Sequence, residues 1–222
     1  MSFSTILAAV ALSPAAAFAG GADATTELAT DSSDAELAPA EPLPAGMPSA
    51  LEEFKKRHET VLLLVKTKVA DAAIQAEVDR LLDYKWIAAA ALGGKGRSDK
   101  RCDPRCAEYE DLLSRLIRQN YLKRITQAET GKVEYLGEER RAKASKVTTR
   151  VTFTKDGVDQ KVEVAYIMHI VDGQWFVRDI ITDGVSLSKN YRYEFNKIMR
   201  DEKIDGLIAR LETKLADLAK TE

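Results

Sequence analysis

Two cysteines four positions apart, Cys102 and Cys106, frame the short run Cys-Asp-Pro-Arg-Cys. A tight turn can bring two such sulfurs together, so in an oxidising compartment the leading reading is a local disulfide. The competing chemistry is metal ligation, which needs further ligands, and the only histidines, His58 and His169, lie far away in sequence. Each histidine reads as a partly buried, hydrogen-bonded structural group, His58 on the apolar line of a helix and His169 in a strand. Asp179 is the remaining candidate. Strand alternation sets it on the face of Trp175 and Val177, an awkward place for an unpaired charge; Arg192 is a candidate partner, and a salt bridge or helix-cap contact fixing the last helix to the sheet is expected ahead of direct headgroup binding. No Gly-x-Ser-x-Gly, His-Glu-x-x-His or phosphate-loop string occurs. No catalytic residue, cofactor or metal is therefore expected.

The elements that must position these residues follow from periodicity. Leu51, Phe54, His58, Val61, Leu62 and Val65 recur at helical spacing. A second helical stretch is predicted from about Ala72 to Leu92, stopped by Gly93-Gly94, and a third, long one begins near Pro104 and shows Tyr109, Leu112, Leu113, Leu116, Ile117, Tyr121 and Ile125 on one face. The period then changes to two. Val133 to Arg141, Val147 to Phe153, Val162 to Ile170 and Gln174 to Thr182 read as strands, the last two joined by the hairpin signal Asp172-Gly173. In the last strand Trp175, Val177, Asp179 and Ile181 are expected to share a face. Helical spacing returns with Leu187, Tyr191, Phe195, Ile198 and Met199, and again from Ile204 to Leu218. The fold class is α+β: an antiparallel sheet of about four strands with helices before and after it, able to enclose an apolar pocket.

Composition narrows the functional classes. The chain has 222 residues, 45% hydrophobic and 31% charged, which excludes a membrane bundle or a wholly disordered chain. From Leu51 to Glu222 there are 33 bases against 29 acids, mostly interleaved, whereas a nucleic-acid binder gathers a larger excess into a stripe. No nucleic-acid partner is expected, and a monomer is.

The first 50 residues read as an address and a tether. Residues 6–19, ILAAVALSPAAAFA, form a short apolar run ending in Ala17-Phe18-Ala19, a pattern signal peptidase accepts, although no Lys or Arg precedes it. Residues 1–19 are expected to be a cleaved signal peptide that exports the chain. Residues 20–50 hold six acids, no Lys or Arg and few large apolar side chains, and are expected to form a flexible acidic linker before a folded domain over 51–222.

The run Trp175 to Leu187, WFVRDIITDGVSL, with Asn190-Tyr191-Arg192, Phe195, Asp205-Gly206-Leu207 and Leu211, resembles the signature end of the MlaC family, also called the toluene-tolerance family. Ala90-Leu92-Gly93 and the long helix around Leu113 and Tyr121 also fit its N-terminal half. The chain departs from the family's pattern at Gly94 to Cys106, where an aromatic-bearing loop is usual. The resemblance implies a periplasmic carrier that takes phospholipid into a deep apolar pocket and passes it between an outer-membrane lipoprotein complex and an inner-membrane ABC transporter, with no reaction catalysed. Burial of each acyl CH₂ contributes about 0.8 kcal/mol, so apolar lining and volume suffice to hold such a ligand. The expected lining is Val151, Phe153, Val164, Tyr166, Met168 and Val177 from the sheet, with Leu113, Ile117 and Tyr191 from helices. Two other classes stay open: a small-ligand enzyme using Asp179 or His169 as a base inside the cavity, and an envelope adaptor with a solid core.

Overall fold

The computed structural model describes residues 42–127, 131–141, 144–155 and 157–220; the expected signal peptide and most of the expected linker lie outside them. The first helix, α1 (Ala50–Lys66), begins at a reciprocal cap. The Ser49 hydroxyl accepts from the Glu52 N–H at 3.1 Å, and the Glu52 carboxylate accepts from the Ser49 N–H at 2.9 Å. The fold reaches further back than the expected linker boundary at residue 50. Leu43 and Met47 pack on the core, and the Trp175 indole N–H donates to the Pro48 carbonyl at 3.0 Å.

The helix expected over 72–92 is instead two, α2 (Asp71–Asp79) and α3 (Tyr84–Ala91). The backbone between them leaves the helical ladder because a strand offers it partners. The Val177 N–H donates to the Leu81 carbonyl at 2.8 Å, and the Asp83 N–H donates to the Val177 carbonyl at 2.9 Å. This bridge buries Leu81 and Leu82, while Asp83 restarts the chain as the cap of α3 by accepting from the Trp86 N–H at 3.1 Å. Gly93 and Gly94, at φ +103° and +96°, then turn the chain out of α3. The run after them folds as α4 (Lys95–Cys102), and α5 (Cys106–Gln127) follows.

The sheet is a five-stranded antiparallel meander: β1 (Lys132–Arg140), β2 (Ala144–Lys155), β3 (Val158–Val171), β4 (Gln174–Thr182) and the two-residue β5 (Val185–Ser186). Asp172 and Gly173, both at positive φ, close the β3–β4 hairpin as a two-residue loop. One irregularity alters the reading of the sequence. Ile167 pairs with Asp179 and Met168 with Val177, so Arg178 is an extra residue in β4, a bulge. Alternation changes phase there. Trp175 and Val177 point into the core, but the next buried positions are Ile180 and Thr182, and the four residues expected on one face divide between two.

The chain ends in α6 (Leu187–Asp201) and α7 (Lys203–Ala219). Helix α1 lies against β1, β2 and β4, α3 and α6 lie against β4, and α5 packs on α7, α3 and α2. One contiguous apolar core runs through all of them, in the α+β arrangement the periodicity predicts.

Candidate functional site

The inner face of the sheet supplies one wall of the interior. Val147 and Thr149 of β2 stand beside Tyr166 and Val164 of β3, which stand beside Ile180 and Thr182 of β4. Helix α1 adds Phe54 and His58, one turn apart and both buried. The Phe54 ring lies 4.2 Å from that of Tyr166 and 5.1 Å from the His58 imidazole, centroid to centroid. His58 Nδ1 and the Tyr135 hydroxyl of β1 lie 3.0 Å apart. On α5, the Tyr121 hydroxyl and Gln119 Oε1 are buried with no hydrogen-bond partner among the described residues.

Around Phe54, His58, Tyr121 and Tyr166 this interior is uncharged at neutral pH, while half-buried Glu138, opposite Val147 on the same sheet face, lies at its edge and accepts from the Leu51 N–H at 3.0 Å. Burial lowers His58 from the usual 6.5 to about 4, leaving a neutral imidazole. Burial likewise pushes the Tyr166 phenol up to about 12 and moves Tyr121 well above the ordinary phenol value, with Tyr166, Tyr84 and Tyr135 adding to the shift at Tyr121. A wall of aliphatic side chains, neutral phenols and a neutral imidazole suits an apolar guest and has weak means of holding a charged one.

Of the nine expected lining residues, Leu113, Ile117, Val164, Tyr166, Met168, Val177 and Tyr191 are buried in the common core, and Val151 and Phe153 are half-buried against it. The structure brings all nine onto one cluster. Leu113, Met168 and Val177 have no accessible surface, so no water-sized void touches them and they are packed core in this structure. The half-buried members, Val151 and Phe153 with Tyr121, Leu122 and Tyr135, are the apolar positions that surround the interior and still reach solvent. A separate depression on α1, lined by Glu52, Lys55, Lys56, Glu59, Thr60 and Leu63, is open and charged, unlike the interior.

Asp179 and Arg192 are not brought together. The β4 bulge turns Asp179 away from the face of Trp175 and Val177, and its carboxylate accepts from the Ser188 N–H at 2.9 Å, the Ile180 N–H at 3.0 Å and the Ser186 hydroxyl at 2.5 Å. The Ser186 hydroxyl also caps α6 by accepting from the Lys189 N–H at 3.1 Å. Asp179 thus fixes α6 to the sheet, as expected of the pair, through the first turn of the helix rather than through Arg192, which is exposed. His169 stacks on Trp86 at 6.2 Å, on the sheet face opposite Met168. Neither Asp179 nor His169 therefore lies inside the apolar interior, where the enzyme reading needs a base. A disulfide joins Cys102 to Cys106, and among the described residues no cluster of three His, Cys, Asp or Glu side chains could hold a metal.

From the sequence, Phe54, His58 and Tyr121 read only as members of apolar helix faces and not as lining, and Tyr135 is missed altogether. Its only signal is alternation with Val133 in a short strand, and its pairing with His58 spans 77 positions.

Helices closing an aromatic-walled interior against a bulged antiparallel meander define a small α+β domain. The family described as MlaC protein matches residues 63–213, and the chain belongs to this family. Among solved structures, the chain resembles the phospholipid-binding protein from Ralstonia solanacearum, determined in complex with a phospholipid, with 22% identity and a TM-score of 0.63 over 78% of this chain and 99% of that one. No curated protein matches the sequence significantly.

Proposed function

We propose that this chain is an exported phospholipid carrier: a monomer in the periplasm that holds acyl chains between α5, α1 and the inner face of β1–β4. In this reading it passes them between an outer-membrane lipoprotein complex and an inner-membrane ABC transporter. The observation that carries the reading is the uncharged interior around Phe54, His58, Tyr135 and Tyr166, in a member of a family whose fold neighbour was solved with phospholipid bound. Export rests on the Ala17-Phe18-Ala19 pattern. Because Leu113, Met168 and Val177 are close-packed here, loading requires the core side chains to move apart, with Val151, Phe153 and Tyr121 at the mouth.

The closed core also favours a second reading, an envelope adaptor that works through its surface alone. One experiment separates the two. The chain is produced in a bacterial periplasm, purified and extracted with organic solvent, and the extract is read by mass spectrometry. Phospholipid recovered in about equimolar amount supports the carrier; its repeated absence supports the adaptor.

A further inference from the structure

The solvent side of α6 carries a stripe of cations. Lys189, Arg192, Lys197 and Arg200 are all exposed and recur at spacings of three, five and three, so they run along one side of the helix for about 16 Å. Tyr193 stands among them, 59% exposed, with the Lys197 ammonium 4.2 Å from its ring centroid. Helix α4 extends the stripe sideways. Arg101 donates to Asn196 Oδ1 of α6 at 2.7 Å and to the Leu92 carbonyl at 3.1 Å, which holds the two helices together. Burial, with Arg97 and Arg192 nearby, lowers the pKa of the Arg101 guanidinium. The Cys102–Cys106 disulfide ties the end of α4 to the start of α5 and so fixes the arginine-bearing helix in place.

The stripe differs from the rest of the surface in gathering arginines that meet no carboxylate. Elsewhere Arg105, Arg118, Arg150, Arg178 and Arg210 each meet a carboxylate within 2.9 Å. Among the described residues, Arg97, Lys189, Arg192, Lys197 and Arg200 have no ion-pair partner, and the nearest acid on the stripe, Glu194, is half-buried. Like charges gathered in excess of the one nearby acid repel one another, an arrangement that an anionic surface relieves. The positive charge is local, since bases and acids nearly balance over the folded region as a whole.

We propose that the α6 stripe, with Arg97 and Arg101 of α4, is a docking face for an anionic bilayer surface. A bilayer fits better than an acidic protein because the face is a convex helix side with an amphipathic phenol at its centre. Tyrosine settles at headgroup depth while lysine and arginine meet lipid phosphates around it, and neither contact needs carboxylates fixed in a matching pattern. The face is distinct from the acyl-chain interior, since its residues project from the outer side of α6 while Tyr191 and Phe195 project inward.

The test is co-sedimentation of the chain with vesicles. Phosphatidylcholine vesicles containing phosphatidylglycerol are compared with pure phosphatidylcholine, at low salt and at ~0.5 M salt, where exposed charges are screened. The expected result is binding to the phosphatidylglycerol vesicles alone, lost at high salt. The double reversal Arg192→Glu/Lys197→Glu should weaken that binding by at least about twentyfold, given about fivefold for each cation lost near an anionic surface and added repulsion from each new carboxylate. The equal charge change Lys56→Glu/Lys66→Glu on α1 should weaken it far less. Lipid recovered by solvent extraction from the α6 variant should match the parent, so that loss of docking and loss of carriage read separately. No binding to phosphatidylglycerol vesicles at low salt overturns the proposal, even if an acidic polypeptide is bound. Equal binding to both vesicles, or equal weakening by the α1 and α6 reversals, also overturns it.

Discussion

His58 Nδ1 and the Tyr135 hydroxyl, 77 positions apart in the chain, meet at 3.0 Å and tie α1 to β1. The imidazole is held neutral by burial, with its pKa lowered from 6.5 to about 4. Because the folded form resists protonation, the contribution is fully present above pH 6.5 and is lost as the pH falls from 6.5 toward 4. The difference amounts to about 3 kcal/mol. Urea unfolding at a series of pH values should show this slope. In His58→Phe, which keeps the stacking with Phe54 but cannot titrate, the loss of stability across that window should be smaller by that amount.

Asp179 and Arg192 offer a sharper mutational test. Removing the carboxylate in Asp179→Ala leaves the Ser188 N–H and the Ser186 hydroxyl without their acceptor, and should lower stability by about 1–3 kcal/mol. Arg192→Ala removes an exposed side chain and should change stability by less than about 0.5 kcal/mol. A double-mutant cycle should give coupling below about 0.3 kcal/mol. Coupling near 1 kcal/mol would restore the ion pair and contradict the bulged register of β4.

That register marks the boundary of what the sequence makes legible. The meander and the two final helices follow from apolar spacing, because burial imposes a period on each element. The bulge at Arg178 does not, since one extra residue leaves composition and average spacing unchanged while reversing the face of Asp179 and Ile181. The break between α2 and α3 is hidden for a related reason. Helical spacing continues through Leu81 and Leu82, and only the distant backbone of Val177 makes leaving the helix favourable. Aliphatic members of the site, such as Leu113 and Val164, were legible as buried; the contact of His58 with Tyr135 was not, because it depends on how an N-terminal helix crosses an edge strand.

The Cys102–Cys106 disulfide closes a small loop, and the chain-entropy argument gives it about 2 kcal/mol. Thiol titration in denaturant should find no free cysteine before reduction and two after it. Reduction should lower the unfolding free energy by about that amount without unfolding the domain at room temperature, because the surrounding Tyr109, Leu112 and Leu113 remain in the common core. An unchanged stability on reduction would show that the α4–α5 junction is held by packing alone.

Packing and ligand contact should separate at Leu113 and Val151. Leu113 has no accessible surface and sits where α5 meets the core, so Leu113→Ala opens a cavity and should cost about 2–5 kcal/mol. A cavity of that kind leaves the mouth apolar, so at temperatures where the variant is folded it should still yield phospholipid on extraction. Val151 is half-buried on β2, paired with Val133 and Val162 on its two sides, and its side chain still reaches solvent. A carboxylate there can remain hydrated, so Val151→Asp should lower stability by under about 1.5 kcal/mol while placing a charge where acyl chains must pass. Extraction of Val151→Asp should then recover several-fold less phospholipid than the parent from an equally folded protein, as judged by circular dichroism. If Val151→Asp instead retains full lipid while Leu113→Ala loses it, the acyl chains reach the interior by another route, and the mouth lies away from the β1–β3 end of the sheet.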